Sequence, residues 1–513
     1  MRLSLTNFKG IAPLIAADLL AGSQAQTAEN VKLSNGQLRA WDNELLTQLL
    51  ANKGTVRTIY FYEGLYWLEW EADVDIVRAP VSGDTAGKLY FTGDGIPKKT
   101  NTTLAATGSG PMPIDFYPLG IPMPKPALTA TPSGVGGSGD DRAITYVWTV
   151  LSNWSEESIP SPASTSCDAK NGETVALSAM TMVWQAATTY AVGESVYPTG
   201  DEGGDYLYKC VSGGMTAGVA PPWGTEVDGD TTDGGVTWRC YTNNISSKKI
   251  YRLNTGNEYA SYEYVATIAV TATTYSDSTT DANLGESLPS ATWTPPLAEL
   301  RGLTFISNGI IAGFTGKDLY FCEAYRPWTY PTAYMVSLES NIISIEGVGA
   351  GTAVVTTEGR PYLVTGTDPS SMTPIRLPSP KACVSKRGTV AYGTGAIYPS
   401  ADGLVVVNAE QSDVITKKHV SVKEWAEFYP STIHGYIYDN KYVGFYNSGG
   451  NEGGFVLDLM SGEFTALSFY SPAAYVNPQT DTLYFVKPVD DFLLLETGDY
   501  ILLQTGSKIL MER

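Results

Sequence analysis

FISNGIIAGF, residues 305–314, places an apolar run, an Asn-Gly turn and a second apolar run next to one another. Asn-Gly adopts the positive φ angles of a tight hairpin turn, and the flanking runs are rich in residues that favour strands. The same element recurs as VVTTEGRPYLV (354–364), YPSADGLVVV (398–407), YIYDNKYVGFY (436–446) and PQTDTLYFV (478–486). Because the turns lie about 37 to 50 residues apart, which is the spacing of β-propeller blades, the C-terminal part of the chain predicts a propeller.

Aromatic-rich runs near the N-terminus extend this pattern. VRTIYFYEGLYWLEWEA turns at Glu63-Gly64, and KLYFTGDGIPKKT follows it, so residues 56–95 predict one further four-stranded unit. The total is then about six blades, with N-terminal strands able to close the ring against the C-terminal ones. With 52 Gly, 32 Tyr and few long amphipathic helical patterns, the chain is predicted to be all-β.

Changes in composition predict five units along the chain. Residues 1–125 hold a helix and hairpin segment and the first propeller strands, 126–183 with 244–290 an inserted β-sandwich, 184–243 a small β module inserted into that sandwich, 291–488 the main propeller, and 489–513 a β-meander. The sandwich segments resemble a fibronectin type III domain through the strands ITYVWTV, ETVALSA and KIYRLN. The resemblance implies a spacing or contact role.

The inserted module is dense in Gly, Asp, Tyr and Trp. Its Trp-x-Ala-x-x-x-Tyr and Tyr-x-Tyr-x-Cys patterns resemble small chitin-binding-type carbohydrate modules. The resemblance implies that aromatic faces stack on the rings of a host-surface glycan, and the candidates are Trp184, Tyr190, Tyr206, Trp223 and Trp238. The alternative is that these rings form the core, since aromatic residues dominate burial in so small a domain.

The chain carries little material for catalysis. His419 and His434 are its only histidines, and no nucleophile elbow, Walker-type or dinucleotide-binding glycine pattern is present. TTDGGVTW, residues 231–238, resembles the Asp box of sialidase propellers, but a single copy indicates a turn-stabilising feature. The acids Asp228, Asp230 and Asp233 depart from calcium-loop spacing and lack its final Glu. We therefore expect no enzyme activity and no catalytic, cofactor or metal site, although carboxylate pairs for glycoside hydrolysis depend on three-dimensional separation.

Charge and cysteine content bear on partners and compartment. The chain has 33 basic and 53 acidic residues, a net charge of −20, which argues against binding nucleic acid through its phosphates. Acidic walls of a tube would let DNA slide through, and a solvated acidic surface would give the same net charge. Five cysteines include no C-x-x-C pair; Cys210 and Cys240 could pair in an exported protein, but we favour core residues in a reducing cytoplasm.

NFKGIAPLIAADLLAGSQAQTAENVKLSNGQLRAW, residues 7–41, is the most distinctive segment. Residues 16–30 favour a short helix, and Asn35-Gly36 predicts a hairpin over 31–41. The apolar stretch 11–21 also has features of a secretory signal, but Asp18 lies inside it. Its Lys-Gly-Ile, Gln-x-x-x-Asn and Gly-x-Leu-Arg elements together resemble the start of tail nozzle and hub proteins (tail tubular protein B-like) of short-tailed bacteriophages, and segments 303–331 and 382–407 resemble the propeller of those proteins.

This resemblance implies a structural virion protein. It implies a homohexameric ring below the phage portal and adaptor, in contact with tail fibre or tail-tip proteins, through whose lumen genomic DNA is ejected without specific binding. Assembly would take place in the host bacterial cytoplasm. Two alternatives from other classes remain open at this point, a carbohydrate-binding adhesin and a propeller glycan hydrolase.

Overall fold

The computed structural model describes residues 10–487, apart from 14, 17, 35–36, 41–44, 53–54, 82, 255–260 and 350. Strands dominate this part of the chain. The α-helices among the described residues are the single turns α1 (Thr102–Ala106) and α2 (Val422–Ala426), and short 3₁₀ turns lie at Asp281–Asn283, Thr332–Tyr334, Pro369–Ser371 and Pro430–Thr432. No helix in the described ranges is long and apolar enough to cross a membrane.

The first eight strands form two hairpins and one four-stranded antiparallel sheet. The hairpins are β1 (Val31–Ser34) with β2 (Gln37–Ala40), and β3 (Thr58–Tyr62) with β4 (Tyr66–Trp70); the sheet contains β5 (Asp75–Arg78), β6 (Leu89–Gly93), β7 (Gly95–Thr100) and β8 (Tyr117–Pro118). Glu63 and Gly64, at the turn between β3 and β4, have φ of 50° and 68°, which confirms the hairpin predicted there. The hairpin predicted over 31–41 is confirmed for its two strands, while its turn lies outside the described residues.

The next eleven strands form the two inserted units. The first is one five-stranded sheet in the order β18-β17-β9-β10-β19. The second, the module, is inserted in the sequence between β10 and β17 of this sheet. The strands are β9 (Thr129–Ser152), β10 (Cys167–Ser178), β11 (Thr189–Tyr190), β12 (Ser195–Val196), β13 (Tyr206–Ser212), β14 (Gly214–Met215), β15 (Asp230–Asp233), β16 (Val236–Thr242), β17 (Ile245–Asn254), β18 (Glu263–Ala269) and β19 (Tyr275–Asp277). The module pairs β11 with β14 and orders its other strands β12-β13-β16-β15.

The remaining strands form four antiparallel sheets of four strands and a last hairpin. They are β20 (Arg301–Ser307), β21 (Ile310–Thr315), β22 (Asp318–Phe321) and β23 (Val336–Ser337); β24 (Ile342–Gly349), β25 (Thr352–Thr357), β26 (Tyr362–Thr365) and β27 (Thr373–Arg376); β28 (Val390–Tyr392), β29 (Gly395–Ser400), β30 (Gly403–Val407) and β31 (Ser412–Val414); β32 (His434–Tyr438), β33 (Lys441–Ser448), β34 (Asn451–Asp458) and β35 (Phe464–Leu467); and β36 (Ala474–Asn477) with β37 (Thr482–Phe485).

These sheets close into a six-bladed β-propeller. Blade 1 is β5–β8, blades 2 to 5 are the four later sheets in chain order, and blade 6 combines the β36–β37 hairpin with the β3–β4 hairpin. The first strands of blades 1 to 6 contact one another in sequence, and an apolar cluster fills each space between neighbouring blades, including that between β3–β4 and blade 1. Trp67 of β4 packs on Tyr475 and Tyr484 of the last hairpin, at ring-centroid distances of 6.0 and 4.9 Å. The all-β propeller prediction is confirmed, as is ring closure by the N-terminal strands.

Two details of the predicted blades were wrong. Residues 56–95 do not form one unit, because β3–β4 belong to blade 6 and β5–β7 to blade 1. The recurring hairpin also differs in position: it joins the first two strands in blades 2, 5 and 6, but the second and third in blades 3 and 4. All these strands are packed on both faces, so any hairpin of a blade carries the same apolar runs.

The helix predicted over 16–30 was also wrong, since the described residues of this stretch form turns and bridges. The N-terminal segment instead pairs with the outermost strand of blade 5: Ile11 N, before the predicted helix, donates to Phe464 O at 2.8 Å, and Asn30 N, at its end, donates to Ala466 O at 2.9 Å. Helix propensity is a weak preference, and here pairing with a sheet edge overrides it. The meander predicted over 489–513 lies outside the described residues.

A Pro-Ser segment pairs with the part of β9 that β10 does not reach, after residue 144. In SIPSPAS (158–164), the amides of Ser158, Ser161 and Ser164 donate to carbonyls of β9 at 2.8 to 3.0 Å. Their hydroxyl oxygens accept from three amides of β9 at 3.0 to 3.1 Å. The serines therefore pair the edge that proline, without an amide donor, would leave open.

Candidate functional site

The main polar site lies at the propeller axis, at the face where the inner strands begin. Lys386, in the segment before β28 of blade 4, reaches across the axis to blade 1. Its Nζ lies 2.7 Å from Asp75 Oδ1 and 3.1 Å from Asp73 Oδ2. Asp75 also accepts from Gly302 N at 2.9 Å, which adds blade 2 to the contact. Because blades 1 and 4 are opposite in a ring of six, this network spans the propeller axis.

The neighbouring residue, Arg387, extends these contacts to blades 5 and 6. The Arg387 guanidinium donates to Pro472 O at 2.8 Å and to Arg57 O, just before β36 and β3, while Gly435 N of β32 donates to Arg387 O at 2.9 Å. His434 is 1% exposed beside it, and its Nδ1 lies 3.1 Å from the Tyr436 hydroxyl. Burial, together with the Arg387 charge, holds the pKa of His434 well below its usual range, so this histidine is a neutral structural residue, as predicted.

Next to this network, a cavity of about 700 Å³ lies among the inner strands of blades 1 to 3. Its walls are mostly apolar and include Ile76, Val77, Leu303, Phe305 and Ile345. Two carboxylates also line it, Asp75 and Glu346. Burial raises the pKa of Glu346 to about 8; the Asp75 charge acts in the same direction and Lys386 opposes it. Burial likewise raises the pKa of Asp75, against the charge of Lys386.

The chemistry available in this cavity is binding rather than group transfer. Both oxygens of Asp75 contact Lys386, so this carboxylate is already paired. Within the described ranges no three His, Cys, Asp or Glu side chains converge as metal ligands. Sequence reasoning missed the whole site, because Asp75 and Lys386 are 311 residues apart and no local motif marks either one.

The five predicted glycan-stacking residues all lie in the module, but three of them are core. Trp184, Tyr190 and Trp238 are 7%, 4% and 0% exposed and pack together, so the stacking prediction was wrong for these rings. Tyr206 and Trp223 are half-buried against the same core. The physical reason is size, since a module of this length has few other large apolar side chains to bury.

Asp233, in the Asp-box-like turn, organises that core. It is 2% exposed; its Oδ2 accepts from the indole nitrogens of Trp184 and Trp238 at 2.7 and 2.9 Å, and its Oδ1 accepts from Ala217 N at 2.9 Å. The other two acids of the rejected calcium loop have cationic partners instead: Asp228 pairs with Lys98 at 2.9 Å and Asp230 with Arg239 at 2.7 Å. The carboxylate of this motif thus links the core tryptophans of the module to the segment at Ala217.

Buried ion pairs join blade 1 to both inserted units. On β7, Lys98 contacts Asp228 of the module. Lys99, which is fully buried, contacts Glu156 of the unit formed by the inserted five-stranded sheet (the sheet domain). Trp328, between blade strands β22 and β23, donates from its indole nitrogen to Glu157 O at 3.2 Å. Buried lysines that lie next to each other on one strand were not recognised from the sequence, because KK in a strand is usually an exposed pair.

No family model and no curated protein matches the chain. Among solved structures, the chain is similar to the Dos1 propeller, with 10% identity over 70% of this chain and 92% of that one and a TM-score of 0.24. It is also similar to Hsv2 of Kluyvelomyces marxianus (8% identity, 53% of this chain, 63% of that one, TM-score 0.23) and to the NanB sialidase of Streptococcus pneumoniae (11%, 83%, 69%, TM-score 0.24). Because these TM-scores are all low, the assignment of the chain as a propeller rests on its closed ring of six blades.

Proposed function

We propose that the chain is a structural subunit of a short bacteriophage tail, which assembles into a nozzle or hub ring around the DNA ejection path. The support from sequence is the resemblance of residues 7–41 and of two propeller segments to such tail proteins. The support from structure is a propeller with two rigidly joined inserted units, suited to serve as a scaffold. Portal or adaptor proteins and tail fibres are its expected partners, as the resemblance implies.

The observation that carries self-assembly is the leucine segment, residues 45–49. Leu45, Leu46 and Leu49 are 88%, 73% and 65% exposed, and they lie in the irregular stretch between β2 and β3. A single exposed leucine is ordinary, whereas three exposed leucines within five residues of sequence favour a contact surface. Burial of each leucine against a neighbour contributes about 1.5 to 3 kcal/mol, so three of them favour association in every interface of a ring.

Charge and cysteine chemistry fit the same role. A net charge of −20 favours a lumen that repels phosphates, through which DNA passes without being held. The described cysteines are all free thiols, and four of them are buried, including Cys210 and Cys240. Free buried thiols fit assembly in a reducing bacterial cytoplasm before incorporation into the virion.

The two alternative functions have less support. An adhesin that stacks sugars on the module would have to rely on Tyr206 and Trp223, because the other three candidate rings are buried. A glycan hydrolase on the propeller would need two free carboxylates at a fixed separation, but Asp75, one of the pair in the axial cavity, is bonded to Lys386.

Electron microscopy of the purified full chain, without imposed symmetry, tests the proposal directly. We expect six-fold rings with an axial pore, and their loss when Leu45, Leu46 and Leu49 are all replaced by Ser. The matched control replaces three scattered residues of similar exposure, Leu65 (65%), Val219 (78%) and Met460 (79%), by Ser and should retain the rings. Monomers in the wild type, or equal assembly of both triple variants, would contradict self-assembly through this segment.

A further inference from the structure

The axial cavity has a built binding surface that the scaffold role does not use. Its walls come from three neighbouring inner strands, β5, β20 and β24, whose backbones are closely packed. A Cβ at Gly347 would overlap the carbonyl oxygen of Phe305, so β20 and β24 leave no gap between them. Phe305 is nevertheless 44% exposed and Val81, at the open end, is 51% exposed. Large apolar side chains thus face an open space at the axis.

One carboxyl group in this space has no partner of its own. Glu346 projects from β24 into the lining, and within the described residues no hydrogen-bond donor or ion-pair partner contacts it. Asp75, by contrast, is bonded to both Lys386 and Gly302 N. Glu346 is half-buried in the lining of this open, partly apolar cavity, and a carboxyl group placed there without a donor is one that a ligand can satisfy.

The sign of the surrounding charge selects the ligand. The charged groups that act on Glu346 are Asp75 and Lys386, and Lys386 also contacts Asp73. One lysine between two carboxylates leaves one negative charge in excess. Arg78 also lines the cavity, but it pairs with Glu63, so the two together add no net charge. An anion would meet net repulsion here, whereas a cation would meet attraction from both Glu346 and the Asp73–Asp75 pair.

We propose that the axial cavity binds an organic cation, a primary ammonium or guanidinium group on an apolar stem, with Glu346 as its counter-charge and Phe305 against its stem. A free alkylamine and a Lys or Arg side chain of a polypeptide share this chemistry.

Binding should be coupled to release of a proton. Because burial raises the pKa of Glu346 to about 8, this carboxyl is mostly protonated at neutral pH, and a bound cation displaces its proton. The ammonium itself stays charged throughout this range, with a pKa near 10.4. With one proton released per cation, affinity should rise about 50-fold between pH 6 and pH 8. A cation held only by permanently ionised surface carboxylates would show almost no change.

Titration calorimetry on the full chain, with n-hexylammonium as the probe, tests this. We expect saturable binding at pH 8.5, none of 1-hexanol or hexanoate, and one proton released in buffers of different ionisation enthalpy. Glu346→Gln should weaken binding about 10- to 100-fold and abolish the pH dependence, because the charged hydrogen bond is lost. Glu410→Gln, an exposed carboxyl in the loop before β31, is the matched control and should bind as the wild type does.

A second variant covers the case in which Glu346→Gln fails to fold. Phe305→Ala should weaken binding of hexylammonium but leave that of methylammonium unchanged, because only the longer stem reaches this ring. An acetylated Gly-Lys-Gly amide, run in parallel, tells whether a peptide side chain or a free amine is preferred, and binding of either supports the site. No heat from hexylammonium at about 1 mM, or equal binding to the Glu346→Gln protein, would overturn it.

Discussion

Replacing Asp233 by Ala should open the inserted module. The carboxylate accepts three buried hydrogen bonds, two from indole nitrogens and one from Ala217 N. Each buried donor left unsatisfied costs about 1 to 3 kcal/mol, so the loss should be about 3 to 6 kcal/mol once water enters the vacated space. A unit of this size has a total stability of only about 3 to 9 kcal/mol, so most of the module's stability is removed.

Asp233→Asn should lower the stability of the module less than Asp233→Ala does, because an amide keeps one acceptor oxygen. Placed at the Oδ2 position, that oxygen retains both indole bonds and loses only the one from Ala217 N. The expected loss is therefore about 1 to 3 kcal/mol. Asp230→Ala is the control: this acid lies on the same strand but is exposed and pairs only with Arg239, so its removal should cost at most about 1 kcal/mol.

Thiol labelling measures opening of the module separately from opening of the rest of the chain. Cys210 and Cys240 are 0% and 1% exposed in the module core, whereas Cys322 and Cys383 are buried in the propeller and act as internal references. Mapped by mass spectrometry, labelling of the first pair should accelerate about 100-fold for each 3 kcal/mol lost, with the propeller pair unchanged. If Asp233→Ala labels no faster than Asp230→Ala, the carboxylate does not hold the core together.

Three further outcomes follow from other buried groups. Lys99→Met should lower the unfolding free energy in urea by about 3 to 5 kcal/mol by leaving Glu156 buried and unpaired, and adding Glu156→Gln should recover much of that loss. The pKa of Glu346 rises from 4.5 to about 8 on folding, so the folded state holds this proton more tightly than the unfolded state. The stability of the wild type therefore falls as the pH rises through that window. The melting temperature of Glu346→Gln relative to wild type should increase from pH 5 to pH 8.5. Ser161→Ala should cost about 1 to 3 kcal/mol in the same urea assay, since Trp148 N loses its acceptor, unless water replaces the hydroxyl.

The propeller could be predicted because its information is local. Each blade carries at least one hairpin in which a turn dipeptide separates two apolar runs, and this pattern needs no knowledge of distant residues. The position of a hairpin within its blade could not be predicted, since FISNGIIAGF and YPSADGLVVV look alike although one joins the first two strands and the other the middle two. Packing on both faces removes the alternation that would otherwise distinguish inner from outer strands.

The helix predicted over 16–30 failed for the opposite reason. The sequence there has favourable helical propensity, but the choice is made by the edge of blade 5, more than 400 residues away along the chain. That edge exchanges backbone hydrogen bonds with Ala28 and Asn30 at the C-terminal end of the stretch. Pairing with a free sheet edge satisfies the backbone groups of the segment as well as a helix would. It also satisfies the unpaired backbone groups of the edge strand.

The candidate site illustrates a further limit of sequence patterns. Lys386 and Arg387 form a basic dipeptide of a kind found on most protein surfaces, and Glu346 is one of 53 acidic residues. What distinguishes them is that the inner strands of a propeller converge on one axis, so side chains from blades 1, 3 and 4 share a single space. Only closure of the ring creates this proximity, and the ring closes through the most distant hairpins of the chain.

Lys98 and Lys99 show how the same geometry unites the three parts of the molecule. Successive side chains of a strand point to opposite faces, so adjacent lysines on β7 contact different inserted units, the module through Asp228 and the sheet domain through Glu156. An exposed pair would add little, but Lys99 and Glu156 are both almost fully buried, and charges so placed are tolerated in only one relative orientation. Because both contacts start from one strand of blade 1, a turn of the sheet domain relative to the propeller would separate the buried charges of Lys99 and Glu156. A turn of the module would take Asp228 from Lys98 and leave this lysine with Asp94 alone.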